Sequence, residues 1–75
     1  MNMDKIIFQT MLGDKVFTIE EDYRGIGFSL CIYENGKNTQ DHLQDTIEMC
    51  KEFAFEDWGI PMDSWEEGMG NRKSI

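Results

Sequence analysis

From Ile26 to Tyr33 the side chains alternate: Ile26, Phe28, Leu30 and Ile32 are separated by Gly27, Ser29, Cys31 and Tyr33. Successive side chains of a strand point to opposite faces, so this run requires a sheet with one buried face. Two earlier runs read as its neighbours. Residues 5–12 are rich in β-formers and free of Gly and Pro, and residues 15–20 return after Gly13-Asp14. That pair suits a tight hairpin turn because Gly accepts positive φ. A polar bend, residues 21–25, leads into the alternating strand, residues 26–34.

After Asn35-Gly36 the period changes. Asn-Gly is itself a hairpin signal, but the residues beyond it lack a strand pattern. Leu43, Ile47, Cys50, Ala54 and Trp58 fall instead on one side of a helix. Asn38 or Thr39 is a suitable N-cap and Asp41 fits the first turn, while Gly59 suits the C-terminal cap and Pro61 forbids continuation. The pattern predicts a helix over residues 39–58, roughly 30 Å long. The tail, residues 60–75, is predicted to be irregular. Ser64 to Glu67 has capping-box spacing for one helical turn, and Asn71 to Ile75 is expected to fray. The expected fold is α+β, a three-stranded antiparallel meander followed by one long helix packed on the sheet (βββα), in a single domain spanning residues 1–75.

A 75-residue chain buries a modest fraction of its surface and benefits from a staple. Cys31 and Cys50 lack Cys-x-x-Cys spacing and a nearby histidine, so they read as two reduced, buried thiols and not as a zinc site or a disulfide. No metal and no cofactor are expected. Met1 to Lys5 has no basic leader pattern, and no apolar window approaches the roughly 18 residues of a membrane span. The expectation is a cytoplasmic protein that does not meet a membrane.

Charge narrows the partner. Fifteen acids face seven bases, a net charge of −8, which repels nucleic acid and anionic lipid and complements a basic protein. Residues 38–67 hold nine acids and one base, Lys51. On the predicted helix Asp41, Asp45, Glu48, Glu52 and Glu56 share one face, opposite the apolar stripe and about 22 Å long. Like charges at i,i+4 cost a helix roughly 0.2–0.5 kcal/mol per pair, a cost that Glu–Lys pairs would avoid. A charged face often serves only solubility. Met49 and Phe55 flanking the ridge make it resemble a recognition surface.

Carboxylate catalysis needs acids in unlike environments, and these are expected to be alike. His42, the single histidine, is expected at the helix start, off both main faces and without a nucleophile. The chain is therefore read as a non-enzyme. The second sheet face, with Ile7, Gln9, Met11, Ser29, Cys31 and Tyr33, is too apolar for full solvation. Either a second copy or partner meets it, or the tail covers it through Trp58, Ile60, Met62 and Trp65.

Residues 15–58 resemble the partial RNase-H-like domain of HicB-type antitoxins, through the stretch Glu21-Asp22-Tyr23-Arg24-Gly25-Ile26-Gly27-Phe28 and a helix opening at Asn38-Thr39-Gln40-Asp41. The Leu-Pro-Gly-Cys turn usual in that family is absent. The resemblance implies neutralisation of a basic toxin.

The functional expectation is an acidic inhibitor of a basic protein, one that binds nucleic acid or acts as a nuclease. Anti-defence proteins of phage (anti-CRISPR or anti-restriction), antitoxins and immunity proteins work by this logic, as nucleic-acid mimics. The expected contact residues are Asp41, Asp45, Glu48, Glu52 and Glu56 for charge, with Met49, Phe55 and Trp65 as anchors. The alternative is a structural homodimerisation or scaffold module that binds through its sheet, with the acids serving solubility.

Overall fold

A computed structural model describes residues 5–22 and 25–68. Strands β1 (Lys5–Leu12), β2 (Lys15–Glu21), β3 (Phe28–Glu34) and β4 (Lys37–Gln44) precede helix α1 (Ile47–Trp58), and β5 (Glu66–Glu67) follows it. The sheet is antiparallel in the order β4-β3-β2-β1-β5. Gly13, at φ 63°, takes the first turn position, and β2 pairs back with Leu12 opposite Lys15.

The three-strand expectation is thus corrected to five, four of them before the helix. Asn35 and Gly36 both have positive φ, 55° and 80°, the signature of a type I′ hairpin. Lys37 to Gln44 returns along β3, from Glu34 opposite Lys37 to Phe28 opposite Gln44. This strand has no apolar alternation because it is an edge. Its residues on the helix side are Gln40, His42 and Gln44, and Leu43 lies on the other face, 47 % exposed. One extra residue, Thr39, bulges between the pairs Ile32–Gln40 and Tyr33–Asn38, and its hydroxyl donates to the Ile32 carbonyl at 3.2 Å. The helix opening at Asn38, on which the likeness to HicB-type antitoxins partly rests, is absent.

The helix starts at Ile47, later than expected. Thr46 is extended (φ −138°, ψ 161°), and its hydroxyl accepts the Met49 amide at 3.1 Å. The apolar stripe Ile47, Cys50, Ala54 and Trp58 does face the sheet. Gly59 caps the C-terminus at φ 73°, with Gly59 N–H donating to the Phe55 carbonyl and Ile60 N–H to that of Ala54.

One core results. Phe17, Ile19, Leu30 and Ile32 from β2 and β3 meet Cys50 and Ala54 from α1 and Ile60 from the tail, all buried. Phe17 and Trp58 pack edge-on, ring centroids 5.4 Å apart at 65°. The expected capping box does not form. Ser64 N–H and Oγ both donate to the Pro61 carbonyl, and Glu66-Glu67 pairs with β1 opposite Gln9 and Phe8. Gly68 N–H then donates to Ile7 at 2.6 Å, and any Cβ at Gly68 would collide with the Ile6 carbonyl. Trp58, Ile60 and Trp65 pack on the helix side, so these residues leave the second sheet face uncovered. The expected fraying of Asn71 to Ile75 lies outside the described residues.

Replacing Thr46 with Ala removes the cap and should lower unfolding stability by about 1 kcal/mol in urea titration. Asn38→Ala should leave helical circular dichroism unchanged. A loss of helix signal in the Asn38 variant would contradict the placement of β4.

Candidate functional site

Two surfaces gather the polar residues. The first is the outer face of α1. Seen down its axis, Glu48, Glu52 and Glu56 stand opposite Cys50 and Ala54, with Met49 on one flank and Phe55 on the other. The three glutamates are exposed, and Met49 and Phe55 are 41 % and 52 % exposed. Lys51, the one base of the helix, points away from them, its ammonium 4.0 Å from the Phe8 ring centroid. The carboxylate ridge is therefore free of its own cation.

The expected five-rung ladder is divided by the fold. Glu48, Glu52 and Glu56 remain together over roughly 12 Å. Asp45 is exposed in the bend before the helix. Asp41 lies on β4, on the opposite side of the sheet, and accepts the Asn38 side-chain amide at 2.8 Å. Trp65 is half-buried against the core, its Nε1 enclosed without an acceptor among the described residues.

The second surface is the sheet face away from α1, left uncovered among the described residues. The β1–β2 register has a bulge between Ile6 and Phe8, so Ile6, not Ile7, joins Gln9 and Met11 there. Across β2, β3 and β4 the face continues with Val16, Thr18 and Glu20, then Ser29, Cys31 and Tyr33, then Asn38, Asp41 and Leu43. At its centre is a polar network that sequence reasoning missed. Glu20, 8 % exposed, accepts the hydroxyls of Thr18 at 2.7 Å and Tyr33 at 3.1 Å on the same oxygen. Beside it lies a hollow of about 550 Å³, walled by Ile6, Val16, Thr18 and Tyr33 with Gln9 and Asp14. The available signal was the alternation in β2, where Thr18 and Glu20 interrupt Phe17 and Ile19.

This environment suppresses ionisation of its neighbours. Burial, and then the charge of Glu20, push the Cys31 thiol well above the usual thiol range, with Asp41 adding to the effect. The same two causes push the Tyr33 phenol up to about 12, against an opposing pull from Asn38. Burial alone pushes the Cys50 thiol up to about 11. Both cysteines are free and buried, on opposite faces of the sheet, where they cannot reach one another. Such thiols are poor nucleophiles.

His42 is not at a helix start but on β4, facing α1. It lies 4.5 Å from the Phe53 ring at 30°, and its Nε2 is 2.9 Å from Gln40 Oε1. Among the described residues no group of three or more His, Cys, Asp or Glu is placed to hold a metal ion. No described helix is long and apolar enough to cross a membrane.

The high thiol pKa of Cys50 sets a pH dependence. Below the ordinary value of 9.0 the folded and unfolded states both hold the proton, and the stabilisation is whole. From there toward about 11 the unfolded chain loses its proton first, so stability falls as pH rises. Cys31 and Tyr33 act in the same direction. The urea midpoint should drop between about pH 8 and about pH 10.5. Cys50→Ala should flatten that slope, and a midpoint constant over this range would contradict the burial.

No protein-family model, no curated protein and no solved structure matches the chain.

Proposed function

We propose that the protein is a non-catalytic binding domain that inhibits a basic protein partner by docking the outer face of α1 onto it. The observation that carries this reading is the ridge of Glu48, Glu52 and Glu56 with exposed Met49 and Phe55 on its flanks. Interfaces draw their energy from a few large apolar anchors, while surrounding charge sets approach and orientation. Phe55 and Met49 supply the anchors, and the carboxylates, about 6 Å apart along the axis, supply a row of negative charge. With Lys51 drawn off to Phe8, no helix cation neutralises that row. A surface evolved to bind phosphates is its natural complement, which makes the partner a nucleic-acid-binding protein or nuclease, of the kind that antitoxins, immunity proteins and phage anti-defence proteins block. Asp45 lies close enough in sequence to extend the row; Asp41 and Trp65 are not part of it.

Met11 and Leu43, 67 % and 47 % exposed at opposite corners of the uncovered sheet face, favour a second reading, self-association through that face. Light scattering after size exclusion separates the two. A monomer accords with helix docking, and a dimer insensitive to salt with the sheet reading.

Affinity capture from the native host should recover a basic protein with wild-type bait, with retention falling steeply between about 0.05 and 0.5 M salt. Glu48→Lys with Glu52→Lys should weaken capture at least tenfold, as should Phe55→Ala. Undiminished capture by both variants would remove the helix face as the binding surface.

A further inference from the structure

The hollow on the uncovered sheet face has a directional chemistry of its own. Glu20, outside the lining and nine-tenths buried, is hydrogen-bonded to two of the lining residues. The hydroxyl hydrogens of Thr18 and Tyr33 both point to Glu20 Oε2, at 2.7 and 3.1 Å. Each hydroxyl has one hydrogen, so toward the hollow these two lining oxygens can only accept. Asp14 adds a carboxylate at the rim, from the turn between β1 and β2. The nearest base with a described side chain on these strands, Lys15, is on the helix side and pairs with Glu34 at 3.8 Å. Ile6 and Val16 supply the aliphatic part of the wall, and Gln9, Asn35 and Gly36 complete it. The volume, about 550 Å³, falls in the range of small-molecule sites, roughly 300–1,000 Å³.

We propose that this hollow binds a small organic cation, an ammonium or amidinium head on an aliphatic body. The head donates to Thr18 Oγ1 and Tyr33 Oη, whose hydrogens Glu20 holds, and its charge is balanced by the neighbouring Glu20. The aliphatic body covers Ile6 and Val16. A neutral alcohol loses the charge term, and a carboxylate is repelled by Glu20. Acceptors that are pre-committed in direction favour a donor-rich ligand in the way a preorganised site does, because no hydroxyl must turn to receive it. The site is on the opposite side of the sheet from α1, so it stands or falls apart from the helix docking reading.

The test is an NMR titration of the full chain with hexylammonium, hexanol and hexanoate in parallel at physiological ionic strength. Hexylammonium should give saturable shifts centred on Val16, Thr18 and Tyr33, with millimolar or tighter affinity. Hexanol should bind at least tenfold more weakly, and hexanoate should not bind. Tyr33→Phe, which keeps the ring and removes one acceptor, should weaken hexylammonium several-fold, and Glu20→Gln, if it folds, should weaken it more. Equal binding of hexylammonium and hexanol would overturn the proposal. So would shifts confined to Glu48, Glu52 and Glu56, no saturable shift at all, or undiminished binding by Tyr33→Phe.

Discussion

The close approach of α1 to β3 and β4 organises the rest of the molecule. Cys50 and Ala54 are the helix residues pressed against Phe17, Ile19, Leu30 and Ile32, and both are small. Small side chains at the contact let the helix backbone come near the strands, and the larger Ile47, Phe53 and Trp58 then close the margins. Tail residue Ile60 completes the layer immediately after the Gly59 cap. With one helix and one sheet, apolar burial is confined to a single layer, so each of the larger elements keeps a second face that the core does not use.

Those two outer faces differ in kind. On the helix, the outward positions carry acids and two exposed apolar side chains, with no internal partners among them in the described structure. On the sheet, the outward positions are knitted to one another: Thr18 and Tyr33 to Glu20, and Asn38 to Asp41. A buried carboxylate is tolerable only when it is hydrogen-bonded, and burial, reinforced by the charge of Glu20, keeps Cys31 and Tyr33 protonated. The helix face therefore offers charge to whatever approaches, whereas the sheet face has already directed its hydrogens inward and offers acceptors.

Much of this was legible in the residues. The alternation from Phe28 to Tyr33, the two earlier strands, the stripe from Ile47 to Trp58 and the Gly59-Pro61 stop all follow from period and from backbone preference, and all are present. Ile26, expected to open the alternating strand, lies instead ahead of β3 and is exposed. What failed was β4. Hydrophobic periodicity reports burial, and an edge strand whose inward side chains are Gln40, His42 and Gln44 has little to report. The Asn35-Gly36 turn carried the correct message and was outweighed by a helical spacing that Leu43 met by coincidence. That error carried Asp41 onto the wrong face and lengthened the acidic ridge. Of the expected contact residues, Glu48, Met49, Glu52, Phe55 and Glu56 are brought together as anticipated, because their spacing lies wholly within the real helix. The Glu20 network was invisible for another reason: it depends on which side chains meet across three strands, which is a property of register.

The strand formed by residues 37–44 divides the acids between two faces and frees the helix ridge from Asp41. Nuclear Overhauser contacts measured on the whole chain in solution test it directly. Contacts are expected from the His42 ring to those of Phe53 and Trp58, which lie 4.5 and 6.2 Å away by centroid, together with cross-strand contacts between Cys31 and Asp41. Sequential amide–amide contacts running unbroken from Thr39 into α1, with none from His42 to Phe53, would contradict it.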